Sequence, residues 1–134
     1  MHKRQAVETS NAPSAIGPYS QAIIIDRTIY ISGQLGLKPD GIMNGRTTRE
    51  QAAQALKNVL AIAEAAGADR HHIVKLTVFM TDLQEFGAVN NVLENSFTEP
   101  YPARACVQVA SLPKQALIEI EAIAVYDKSS PSTV

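Results

Sequence analysis

The stretch YPARACVQVASLP, residues 101–113, places a cation where a short strand ordinarily packs small apolar side chains. Arg104 stands two residues before Cys106, the only cysteine of the chain. A planar guanidinium grips a carboxylate in bidentate fashion, so Arg104 is a candidate anchor for a small anion. Downstream, LIEIEAIAVY carries Glu119 and Glu121, and a glutamate beside a bound anion can position or deprotonate a water. The plainer alternative is a cross-strand ion pair between Arg104 and Glu119 or Glu121, of small energetic weight. Cys106 has no histidine placed to activate it and reads as a small hydrophobe.

Other stretches could complete a site. In AIGPYSQA, Gly17-Pro18 forms a rigid turn that presents Tyr19 just before a strand. Tyr19 is then either a half-buried turn residue or a lid whose hydroxyl donates into a cleft. IYISGQ ends a strand at Ser32-Gly33, where backbone is expected to come close to something. Asn90 falls on an apolar helical stripe; it is either a buried amide bonded to a loop backbone or a residue that orders a site loop. His71 and His72 start a strand without metal-ligand partners in sequence and are expected to be exposed. No Cys/His spacing suits zinc, and there is no P-loop, nucleophile elbow or dinucleotide glycine motif.

The 134 residues suit a single domain over 1–127, with a polar, frayed tail at 128–134. Hydrophobic residues make up 46% and the net charge is −1, which leaves no electrostatic footprint for nucleic acid. One cysteine cannot form an internal disulfide, and the N-terminus lacks the apolar core of a signal peptide. No run is long enough to span a membrane. These features point to a soluble protein of a reducing compartment, the cytoplasm.

The elements that must hold these residues read β-β-α-β-α-β-β, with a further strand over Arg4–Glu8. Two short strands, Ala22–Ile25 and Thr28–Ser32, turn at Asp26-Arg27, and residues 34–46 form a loop. Thr47 and Glu50 make a capping box for a helix whose stripe is Ala52, Leu56, Val59, Leu60 and Ala63, stopped by Gly67. HIVKLTVFMTD alternates, with Val74, Leu76, Val78 and Met80 on one face. A second helix opens at Asp82, with Glu85 as its capping-box partner, and carries Phe86, Leu93 and Phe97.

Alternation on the last two strands puts Ala103, Ala105, Val107 and Val109 beneath the helices, beside Ile118, Ile120, Ala122 and Ala124. Arg104, Cys106 and Gln108 then share the opposite face with Leu117, Glu119, Glu121 and Ile123. Both helices cover one face of a single mixed sheet, an α+β two-layer sandwich. The other face is too apolar to lie free, which implies a homo-oligomer with polar groups at its interfaces.

NAPSAIGPYSQA, IYISGQ, PARACVQVASLPK and IEIEAIA, in this order, strongly resemble the Rid family of reactive-intermediate imine deaminases, also called YjgF. The resemblance runs from about residue 8 to residue 126. It implies a chorismate-mutase-like fold and a homotrimer with a cleft at each subunit interface. It also implies cofactor-free hydrolysis of the small 2-imino acids 2-iminobutanoate and 2-iminopropanoate to 2-oxo acids and ammonia. By motif, Arg104 grips the substrate carboxylate and Glu119, not Glu121, handles the catalytic water. Tyr19, Ser32 and Gly33 line the cleft, Cys106 lines the same wall, and Asn90 supports the site. Members of the family have also been described as endoribonucleases, which the near-neutral charge disfavours. A small-carboxylate binding module without turnover is the non-catalytic alternative, and it gains little from a glutamate beside the anion.

Overall fold

The computed structural model describes residues 3–128. The strands are β1 (Gln5–Val7), β2 (Ala22–Ile25), β3 (Thr28–Leu35), β4 (Ile73–Met80), β5 (Ala103–Gln108) and β6 (Ile118–Val125). The helices are α1 (Thr48–Ala65) and α2 (Phe86–Ser96). The strands form one mixed sheet in the order β1-β2-β3-β6-β4-β5, in which only the β4–β5 pair is parallel. Both helices lie on one face, giving the expected α+β arrangement. Asp127 and Lys128 close the described chain, and the rest of the expected tail lies outside the described residues. Among them, no helix is long and apolar enough to cross a membrane.

Local chemistry sets the elements. Thr47 caps α1: its hydroxyl accepts from the Glu50 N–H while the Glu50 carboxylate accepts from the Thr47 N–H. Ala52, Leu56, Val59, Ile62 and Ala63 are buried against the sheet, joined there by Leu76, Val78, Met80, Ile118 and Ile120. Gly67, with φ 84°, takes the left-handed conformation just past the end of α1. Asp82 does not open α2. Its carboxylate caps a single 3₁₀ turn, Leu83–Glu85, by accepting from the Gln84 N–H, and α2 begins only at Phe86.

Two bulges reset the alternation. Between Ile73 and Lys75, β4 advances two residues while β6 advances one, from Ala124 to Ile123. The extra residue turns Val74 outward, and Ile73 takes the core position expected for Val74. On β3, Ile31 pairs with Ala122 and Gln34 with Ile120, so three steps oppose two. The strand therefore does not exit at Ser32-Gly33. It bulges there and continues to Leu35, which lands opposite Glu119 on the face away from the helices.

The main correction concerns β5. It does not pair with β6, because β4 lies between them. Arg104 is level with Leu76, Cys106 with Val78 and Gln108 with Met80, and those three β4 residues point into the core. Arg104, Cys106 and Gln108 therefore sit on the helix side, whereas Ala103, Ala105 and Val107 share the open face with Lys75, Thr77 and Phe79. Glu119, Glu121 and Ile123 are on the open face as expected, beside Tyr30. Alternation sorts each strand internally but does not fix the phase of one strand against another. As an edge strand with few core contacts, β5 carried no hydrophobic signal strong enough to fix it.

Candidate active site

The open face and the bulge frame a cleft of about 750 Å³. Its walls include Tyr19 from the turn before β2, Ser32 and Gly33 from the bulge, Leu35 from β3, and Glu119 and Glu121 from β6. Ser32 fixes the bulge: its Oγ donates to the Ser20 carbonyl at 2.6 Å and its N–H donates to the Gln21 carbonyl at 2.9 Å. Gln21 in turn ties down the segment that precedes Tyr19. Its side-chain amide donates to the carbonyls of Thr9 and Pro13, while its Oε1 accepts from the Thr9 N–H.

Gly33 meets what the sequence anticipated. A Cβ built there would lie 2.8 Å from Glu119 Oε2 and 2.9 Å from its Cδ, so the absent side chain is the space the Glu119 carboxylate occupies. Burial pushes the Glu119 carboxyl above the ordinary carboxylate range, and the like charge of Glu121 adds to it. Glu121, next on the same face, is exposed. The two glutamates that alternation could not separate are thus distinguished by environment. A half-buried carboxylate of raised proton affinity, set against bare backbone, suits a group that must take and return a proton.

Tyr19 is 53% exposed, and its hydroxyl accepts from the Ile16 N–H at 3.4 Å. It stands at the cleft mouth and is not a half-buried turn residue. Arg104 is elsewhere. It lines a second cleft of about 400 Å³ with Asn90, Phe97 and Tyr101. Its Nη1 donates to Asn90 Oδ1 at 2.5 Å, and its guanidinium carbon lies 4.8 Å from the centre of the Phe86 ring. Asn90 is therefore neither buried nor bonded to a loop backbone, since α2 uses it to hold Arg104. Phe86, read in the sequence only as part of the core stripe, provides the surface under the guanidinium. The Arg104–glutamate ion pair does not form within the chain, because a strand and a change of sheet face separate the partners.

Cys106 lines neither cleft among the described residues. It packs against the core with its Sγ 3.4 Å from Met80 Sδ. Burial pushes its thiol up, and the nearby Arg104 charge only partly offsets this. A thiol held protonated is a poor nucleophile. His71 is exposed as expected, but His72 is not: its Nδ1 accepts from the Asp69 N–H, and its Nε2 lies 3.2 Å from the Asp127 carboxylate. No group of three His, Cys, Asp or Glu residues among the described residues is placed to hold a metal ion.

A family model described as endoribonuclease L-PSP matches residues 9–126. The chain belongs to this family, the Rid or YjgF family. Among its Rid relatives, a goat protein named 2-iminobutanoate/2-iminopropanoate deaminase is 52% identical over 123 residues, which is 91% of this chain and 90% of that one. The crystal structure of RidA from the Antarctic bacterium Psychrobacter sp. PAMC 21119 is 46% identical, with a TM-score of 0.88. It covers 92% of this chain and 100% of its own. The structure of Escherichia coli TdcF with bound serine is 44% identical, with a TM-score of 0.87 and coverage of 92% and 99%.

Proposed function

We propose that the protein hydrolyses small 2-imino acids, 2-iminobutanoate and 2-iminopropanoate, to 2-oxo acids and ammonia in the cytoplasm. The observation that carries this reading is the Glu119 carboxylate of raised proton affinity set against the bare backbone of Gly33. The name of the goat relative, at 52% identity over most of both chains, supports the same activity.

Arg104 and Glu119 lie on opposite faces of the sheet, so one copy cannot present both to one substrate. We take the site to be completed between copies in a homotrimer. Arg104 on the edge strand of one protomer grips the carboxylate, and the Glu119 cleft of its neighbour holds the imine carbon. The apolar part of the open face, with Tyr30 and Val107 at 50% and 43% exposure, is the surface a second copy would cover. Glu119 then takes a proton from water as the water oxygen bonds to the imine carbon and the C=N π electrons move to nitrogen. The same carboxyl returns that proton to the nitrogen, giving the neutral carbinolamine, and then takes the hydroxyl proton and delivers it to the nitrogen as the C–N bond breaks, releasing ammonia and leaving the 2-oxo acid. An imine is already electrophilic, so positioning plus one general base, worth about 10²–10⁴-fold, is sufficient acceleration.

The test couples a pyridoxal-phosphate threonine dehydratase to the purified protein and follows trapped imine against 2-oxobutanoate. The wild type shortens the imine lifetime and Arg104→Ala loses the effect. Equal behaviour of the two proteins contradicts the site. Cleavage of RNA that Arg104→Ala abolishes, with imine lifetime unchanged, supports the endoribonuclease reading instead.

A further inference from the structure

The cleft that holds Glu119 has an electrostatic problem if its substrate is an anion. Its charged lining residues, among those described, are Asp40, Glu119, Glu121 and Lys114, so three acids face a single cation. A 2-imino acid brings its own carboxylate to this acidic rim, and charges within about 10 Å act on it at ordinary ionic strength.

The backbone around that cation is unusual. Lys114 and Gln115 have φ of 57° and 58°, two successive non-glycine residues in the left-handed region. L-residues visit that region singly and at a cost, and such conformations persist where their surroundings hold them. Here the surroundings are identifiable. Pro113 fixes the entry, the Ala116 N–H donates to the Pro113 carbonyl at 3.1 Å, and Ala116 is buried. The next N–H, of Leu117, donates to the buried side chain of Gln51 on α1 at 2.8 Å. The turn is anchored at both ends and projects an exposed lysine at the cleft mouth, four residues ahead of Ile118 and five ahead of Glu119.

We propose that Lys114 is a specificity-determining entry cation, which offsets the acidic rim and selects anionic substrates for the cleft. The proposal rests on the imine-hydrolysis reading and adds to it how the substrate's charge is read before it is bound. Lys114 concentrates anions at the mouth and takes no part in the bond changes. Its influence therefore falls on kcat/KM, leaves kcat unchanged, and is screened by salt.

The experiment measures imine hydrolysis for wild type, Lys114→Arg, Lys114→Ala and Lys114→Glu at low and high NaCl, with thermal unfolding of each variant as a folding control. At low salt Lys114→Arg matches wild type, Lys114→Ala loses about three- to tenfold in kcat/KM, and Lys114→Glu loses more, with kcat constant in all. In about 0.5 M NaCl the four converge. A wild-type value of kcat/KM in Lys114→Glu at low salt overturns the proposal and leaves the activity standing. A loss that persists undiminished in high salt also overturns it, because the lysine would then act by contact or by supporting the turn. A wild type that does not accelerate imine loss removes the proposal together with the reading beneath it.

Discussion

Replacing Asn90 by alanine tests how the fold aims its cation. The bond it removes is short, 2.5 Å from Arg104 Nη1 to Asn90 Oδ1, and charge-assisted. Hydrogen bonds to charged groups contribute about 1.5–3 kcal/mol, but this guanidinium is exposed, so water recovers part of that and about 1 kcal/mol is the better figure. The Phe86 ring, 4.8 Å from the guanidinium carbon, stays in place and keeps about 0.5–1 kcal/mol of its own. The expected loss in kcat/KM is therefore about fivefold. It appears mainly in KM, because a grip on the carboxylate acts alike on substrate and transition state. The coupled dehydratase assay reads it in four proteins: wild type, Asn90→Ala, Arg104→Ala and the double variant. Arg104→Ala costs much more, about 2–5 kcal/mol, and Asn90→Ala adds nothing on top of it. An equal, additive loss from Asn90→Ala in both backgrounds refutes the reasoning, since Asn90 would then be acting through α2 and not through the arginine.

Glu119→Gln abolishes the general base and lowers kcat by about 10²–10⁴-fold. Because burial and Glu121 raise the carboxyl's proton affinity in the folded state, wild-type kcat/KM falls on the acid side at a higher pH than an ordinary glutamate gives, and Glu121→Gln moves that limb to lower pH. The same shift has a sign for stability. Below the ordinary glutamate value both states hold the proton; as pH rises through the raised value, the folded state ionises at a cost. Glu119→Gln accordingly raises the unfolding temperature at about pH 7.5 but not at about pH 4, as scanning calorimetry would show. Gly33→Ala displaces the Glu119 carboxylate and lowers kcat while leaving the affinity for 2-oxobutanoate, measured calorimetrically, within about threefold. Asn58, fully buried on α1, donates to the carbonyls of Leu35 and Leu37 at 3.2 and 2.7 Å. Asn58→Ala leaves both short of a donor, costs about 2–4 kcal/mol and lowers the unfolding temperature by about 10 °C.

Much of this was legible in residue order. The Thr47/Glu50 capping box and the stripe of α1 are local signals; the structure returns the box and most of the stripe, with Ile62 buried in full where Leu60 is only partly buried. Glycine at position 33 signalled a close approach, although only the fold could show that the approaching group is Glu119. The bulges at Val74 and at Ser32-Gly33 were not legible, because each arises from pairing with β6 and nothing local announces an inserted residue. The strand order was hidden for a similar reason. β5 and β6 are neighbours in sequence, yet β4 takes the place between them, and with it goes any Arg104–glutamate pair within the chain. The amphipathic stripe identified Asn90 as helical, but not that it is partly exposed and points at an arginine on an edge strand.

The central claim is that Arg104 of one copy serves Glu119 of another, and subunit complementation tests it most directly. Arg104→Ala and Glu119→Gln are each inactive alone in the coupled imine assay. When the two are co-expressed in equal amounts, a site is intact wherever the arginine comes from the Glu119→Gln chain and the glutamate from the Arg104→Ala chain. About a quarter of the wild-type activity returns. If the co-expressed mixture is no more active than its parents, Arg104 and Glu119 do not meet across an interface and the account is wrong.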